Sequence, residues 1–144
     1  MKKLFFITFL CIVLLYGCNM NSSKPLSFAE KSDGELNKDV QSFFHNLKYE
    51  NGVHSFEDND KNTIFLYLNE RNVIQGEKAV YFTDFDVQAD DDTLKIFYES
   101  DKTLDYSDES KRRELYYKVN LDKKYDYIKL FNNGEETHFG AAGS

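Results

Sequence analysis

The sequence predicts a mainly β domain with one N-terminal helix, its strands following one another as an antiparallel meander. Three observations predict it. One segment, residues 32–48, carries apolar residues at helical spacing. From residue 53 onward the apolar period shortens to two and stays there. No later segment is a helix long enough to connect parallel strands, so neighbours in sequence are expected to pair antiparallel. The core material agrees: the chain has 13 Phe and 10 Tyr but no Trp, and such rings bury large areas and suit pleated, half-buried surfaces.

The helix comes first. Ser32 and Glu35 have capping-box spacing, in which each side chain satisfies the other's free backbone amide. Leu36, Val40, Phe43, Phe44 and Leu47 then fall on one face, and Asn51-Gly52 ends the segment. Residues 53–57 and 72–75 are short strand candidates. Residues 63–68 read as a strand apolar on both faces. Residues 79–89 alternate, with Tyr81, Phe85, Val87 and Ala89 on one face and Asp84, Asp86 and Gln88 on the other. Asp90-Asp91-Asp92 turns the chain into residues 93–99, whose Leu94, Ile96 and Tyr98 share a face. Leu115, Tyr117, Val119 and Leu121 mark the next strand, residues 125–131 the one after. Asn133-Gly134 is a tight-turn signal, and residues 135–139 are the last strand. The only Pro is Pro25, so no strand is interrupted by one. A twisted meander of seven or eight strands closes on itself or packs against a cover.

The first residues carry an address. Lys2 and Lys3 precede an apolar stretch over residues 4–15, then Leu15-Tyr16-Gly17-Cys18 and an abruptly polar Asn19-Met20-Asn21-Ser22-Ser23-Lys24. This is the order of a secretory leader, and the tetrapeptide resembles a bacterial lipobox. Residues 1–17 are expected to be removed as a lipoprotein signal peptide, with Cys18 becoming the lipidated first residue. Residues 18–31 are expected to be a flexible tether and residues 32–144 one β-rich domain. A second long chain on the cysteine makes attachment stable where a single acyl chain is marginal. The expected location is the extracytoplasmic face of the cell membrane.

Composition narrows the function. Removing residues 1–17 leaves 127, enough for one domain. Losing Lys2 and Lys3 takes the side-chain charge from −7 to −9, so the domain is repelled by an anionic membrane surface and is held there by lipid alone. Nucleic acid is excluded as a partner by the lack of a basic stripe. Cys11 leaves with the leader and Cys18 is the lipid site, so no disulfide is expected.

No catalytic constellation is legible. Asp58-Asn59-Asp60-Lys61-Asn62 begins like a calcium loop, but the sixth position is Thr63 instead of Gly and the twelfth is Asn69 instead of Glu. His45, His54 and His138 lack metal-ligand spacing. No nucleophile elbow, phosphate loop or zinc-protease motif is present. We therefore expect no enzyme activity, no cofactor, no metal and a monomer.

Two stretches resemble a known family: the leader through Leu15-Tyr16-Gly17-Cys18-Asn19-Met20, and the block Phe82-Thr83-Asp84-Phe85-Asp86-Val87. They are similar to the small Gram-positive (Bacillus-type) lipoproteins of the YxeF type, over essentially the full length. That family resembles the calycins, the superfamily of lipocalins and fatty-acid-binding proteins. The resemblance implies an antiparallel meander closing into a lipocalin-like barrel with an interior ligand site and no reaction. Tyr81, Phe85, Val87, Leu94, Ile96, Tyr98, Tyr117 and Val119 would then line the interior and hold a small apolar or amphipathic molecule. The same faces also suit a filled core. The alternative architecture is a helix packed on a curved antiparallel sheet, as in cystatin-like lipoproteins, working as a cell-surface protein-interaction module.

Overall fold

A computed structural model describes residues 24–144; the leader and Cys18 lie outside the described residues. The elements in chain order are β1 (Ser27–Lys31), a 3-10 turn (Asp33–Glu35), α1 (Lys38–Asn46), β2 (Gly52–Asp58), β3 (Thr63–Asn69), β4 (Ala79–Asp90), β5 (Thr93–Thr103), β6 (Glu114–Asn120), β7 (Tyr127–Asn132), β8 (Glu135–Thr137) and β9 (Ala142–Gly143). The strands form two sheets. The first has the order β1-β6-β3-β2-β9, the second β4-β5-β7-β8. They pack face to face, and α1 covers the far side of the first sheet.

Burial explains the layering. Val53, Ile64, Leu66, Leu68, Leu115, Tyr117 and Val119 of the first sheet meet Phe82, Phe85, Val87, Leu94, Ile96 and Leu130 of the second in one apolar cluster. A second cluster joins Leu36, Val40 and Phe44 to Phe65 and Tyr67. All seven residues of β3 are buried, because its alternate side chains enter the two cores in turn. That is the physical meaning of a strand apolar on both faces.

The expected closed barrel is not what the chain forms: a mainly β fold with one helix holds, but the sheets remain separate, and the helix-on-sheet alternative fits. Nor is the topology a meander. β6 inserts between β1 and β3, so the chain crosses from the second sheet to the first after β5 and returns for β7. This excursion lets β7 pair parallel with β5 without a crossover helix. β9 likewise pairs parallel with β2. The absence of later helices therefore did not exclude parallel pairs.

Local corrections have local causes. Ser32 and Glu35 do form a capping box, but it closes only the 3-10 turn. Leu36 is extended, with ψ 150°. The α-helix starts afresh behind Asn37, whose side chain accepts the Val40 N–H at 3.0 Å; Gly34 and Asn37 are poor helix-interior residues. The expected tether ends early, since Ser27–Lys31 pairs antiparallel with β6. The strand candidate at residues 72–75 is a loop. In the β4–β5 hairpin the register shifts between Phe82 and Asp84, a bulge that turns Phe82 and Phe85 to the same side. Ala89, expected inside, is exposed near the hairpin tip.

Candidate functional site

The expected barrel lining is mostly core. Leu94, Ile96 and Val119 are fully buried, and Phe85, Val87 and Tyr117 join them between the sheets. The Phe85 and Tyr117 rings stack with centroids 3.8 Å apart and planes 6° apart. Phe28 of β1 sets its edge against Phe85 at 5.1 Å and closes the side between β1 and β4. These side chains occupy the space a ligand would have needed. Tyr98 is only partly buried at the margin of this core. Burial, followed by the nearby Glu70 carboxylate, pushes its hydroxyl pKa up.

Tyr81 is not in the interior. The bulge puts it opposite Asp101, to which its hydroxyl donates at 3.3 Å. Lys111 lies 4.4 Å from its ring centroid. A strict period of two across residues 81–87 omits the extra residue and so puts Tyr81 on the wrong side.

A second constellation lies between α1 and the first sheet. A cleft of about 390 Å³ is lined by Asp33, Phe44, His45, Lys48, Tyr67, Arg71, Glu114 and Tyr116. The Tyr67 and Tyr116 rings stack at 4.8 Å. The Tyr67 hydroxyl donates to Glu114 Oε1 at 2.8 Å and that of Tyr116 to the same oxygen at 3.3 Å. Arg71 donates to Oε2 at 3.0 Å. Burial first, and the Glu114 carboxylate with it, pushes both phenols far above their ordinary range. They stay protonated and donate, so neither is a nucleophile or base at physiological pH. Glu114 is satisfied from three directions, and the cluster reads as a structural pin.

The histidines are apart in role. His45 Nε2 lies 2.9 Å from Asp33 Oδ1 on the surface. His54 is fully buried, with Nε2 3.1 Å from the Glu50 carbonyl. The Asp58–Asn62 loop is a β2–β3 turn: Lys61 approaches Asp58 Oδ2 at 3.2 Å, and Asn62 has φ 52°. Among the described residues, no group of three or more His, Cys, Asp or Glu side chains is placed to hold a metal.

The outer face of the second sheet differs from that of the first. Ladder register places Asp86, Phe97, Phe131 and Glu136 in one row across β4, β5, β7 and β8. The rings of Phe97 and Phe131 stack at 4.9 Å and 20°. In the next row on one side are Gln88, Lys95 and Lys129, and on the other Asp84 and Glu99. Phe97 and Phe131 are half-buried, while Asp84, Glu99, Lys129 and Glu136 are exposed. The aromatics of the first sheet's outer face lie under α1; among the described residues no helix covers this pair. The signal was present in the alternation: with Leu94, Ile96 and Tyr98 inward, Phe97 is an apolar residue at an outward position.

No family model, curated protein or solved structure matches this chain.

Proposed function

We propose that this chain is an exported lipoprotein, held at the extracytoplasmic face of the cell membrane by lipid on Cys18, whose domain is a non-enzymatic protein-interaction module. The observation that carries the second half is the unequal cover of the two sheets. The interior and the outer face of the first sheet are occupied by the chain's own side chains, whereas the second sheet presents stacked aromatics to its surroundings. Half-buried aromatic pairs on a rigid sheet are common anchors for partners. A carrier of small apolar ligands needs concave apolar space, and the rings at the expected lining fill it. No helix among the described residues is long and apolar enough to cross a membrane.

Two measurements test the proposal. Mass spectrometry of membrane-extracted protein should find a chain beginning at a diacylglyceryl Cys18; an intact Met1 with an unmodified Cys18 refutes the anchor. Photocrosslinking on whole cells, with the reactive residue at position 97, should give a discrete adduct that the same residue at position 44, under the helix, does not. Saturable displacement of a fluorescent fatty acid by the purified domain would instead favour the carrier.

A further inference from the structure

We propose that the open face of the second sheet takes a lysine- or arginine-rich stretch of another polypeptide. This rests on the reading of that face as the working surface and adds the chemistry of the partner. Asp84 and Glu99 stand directly opposite each other across β4 and β5, an arrangement that costs stability when both are ionised. Neither forms a salt bridge among the described residues, and nor does Asp86. The Asp84 carboxylate accepts only the Phe85 N–H, at 2.9 Å, and that of Asp86 only the Gln88 amide, at 2.9 Å. Elsewhere on the face Lys95 pairs with Asp90 and Lys129 with Glu136 at 3.2 Å, while Asp101 accepts the Tyr81 hydroxyl at 3.3 Å, with Lys111 over that ring.

The unpaired carboxylates therefore collect at one end of the aromatic stack. Asp86 heads the row that continues through Phe97 and Phe131, so a cation seated against it also meets a ring face. Ring faces attract guanidinium and ammonium groups within about 6 Å. Two other occupants carry the wrong sign. A second copy of this chain is acidic, with a net charge of −7 before and −9 after loss of the leader, and a membrane surface of anionic lipids is repelled in the same way. A basic polypeptide supplies several cations at the spacing of neighbouring side chains, to match carboxylates spread over two strands.

The test uses the full-length chain in non-ionic detergent and fluorescein-labelled octalysine, read by anisotropy. The triple variant Asp84→Asn/Asp86→Asn/Glu99→Gln should bind about tenfold more weakly, the sum of three exposed ion pairs. The variant Asp39→Asn/Glu57→Gln/Asp60→Asn removes the same charge from the cleft at the start of α1 and should stay within about twofold. Phe97→Thr keeps every charge and a strand-forming residue, and should cost about threefold. Phe97→Leu serves the same purpose if the threonine variant unfolds. Equal loss in both triple variants would reveal a response to net charge alone and overturn the inference. So would an unaffected aromatic variant, or no binding of octalysine. If position 97 crosslinks a partner on cells while octalysine does not bind, the module survives and the cationic partner does not.

Discussion

Replacing Gly140 with Ala probes a close approach of backbone to the fully buried His54 imidazole. Gly140 donates its N–H to the Val53 carbonyl at 2.8 Å, and Ser55 donates to Ala141 at 2.9 Å. These bonds lay the C-terminal segment along β2. A Cβ on Gly140 would lie 2.8 Å from His54 Cε1 and 3.0 Å from Nδ1, inside van der Waals contact. The ring has little room to yield, since it is fully buried, tied to Glu50 O at 3.1 Å and backed by the Tyr67 ring at 5.9 Å. Gly140 is not among the positive-φ residues, so the cost is steric and not conformational. Overpacking of this kind costs about 1–3 kcal/mol, less about 0.4–1 kcal/mol gained because Ala restricts the unfolded chain. Urea unfolding should register a net loss of about 1–2 kcal/mol, a midpoint shift of roughly 0.5–1 M for a small domain. His54→Ala removes the obstacle at the price of a cavity. The double variant should therefore be more stable than the two single effects predict, by a coupling of about 1 kcal/mol or more. A neutral Gly140→Ala, or strict additivity with His54→Ala, refutes the close approach.

Other perturbations reach other layers. Phe44→Ala empties a fully buried ring site beneath the helix and should cost about 3–5 kcal/mol in urea unfolding; a loss below about 1 kcal/mol would mean that the helix layer contributes little. Glu114→Ala takes the acceptor from the Tyr67 hydroxyl, leaving a buried donor unpaired at about 1–3 kcal/mol. Adding Tyr67→Phe should recover part of that loss, and no recovery would refute the pin. Glu70 titrates in the opposite sense to a salt-bridged acid: burial raises its pKa above the ordinary 4.5, with Lys102 pulling partly back. The native state then holds this proton more tightly than the unfolded chain, so stability falls as pH rises from about 4.5 through the native pKa. Glu70→Gln should raise the urea midpoint at about pH 7 but much less at about pH 4, and an equal gain at both would contradict the assignment.

Much of the strand inventory was legible because period-two alternation reports which face is buried wherever the strand is regular. Leu94, Ile96, Tyr117 and Val119 fall inward on that ground and are buried. Asn133-Gly134 signals a tight turn, and both residues have positive φ, 50° and 84°. Alternation misplaces Tyr81 because one bulged residue reverses the parity of all that precede it, and no residue in Phe82-Thr83-Asp84 announces a bulge. β9 escaped because two residues, Ala142 and Gly143, carry no period. The capping box is legible in the sequence as chemistry but not in extent: its bonds satisfy the free amides of a single turn as well as those of a long helix.

The candidate site divides in the same way. That Phe97 faces outward among charged neighbours follows from alternation within β5. That Phe131 lies beside it follows only from the parallel pairing of β5 with β7, made between strands separated by an entire strand in the other sheet.

The sequence by itself determined the local quantities: which segments extend, which residues turn, which faces are apolar, and the acidity of the chain. Tertiary structure alone decided which strands became neighbours, how the apolar faces divided between two cores, and which aromatic face is left without a helix among the described residues. The reason is that alternation specifies a strand's sidedness but not its partner. One buried face is satisfied equally by a closed barrel or by a second sheet, and that choice rests on how the whole set of side chains fills the space between them.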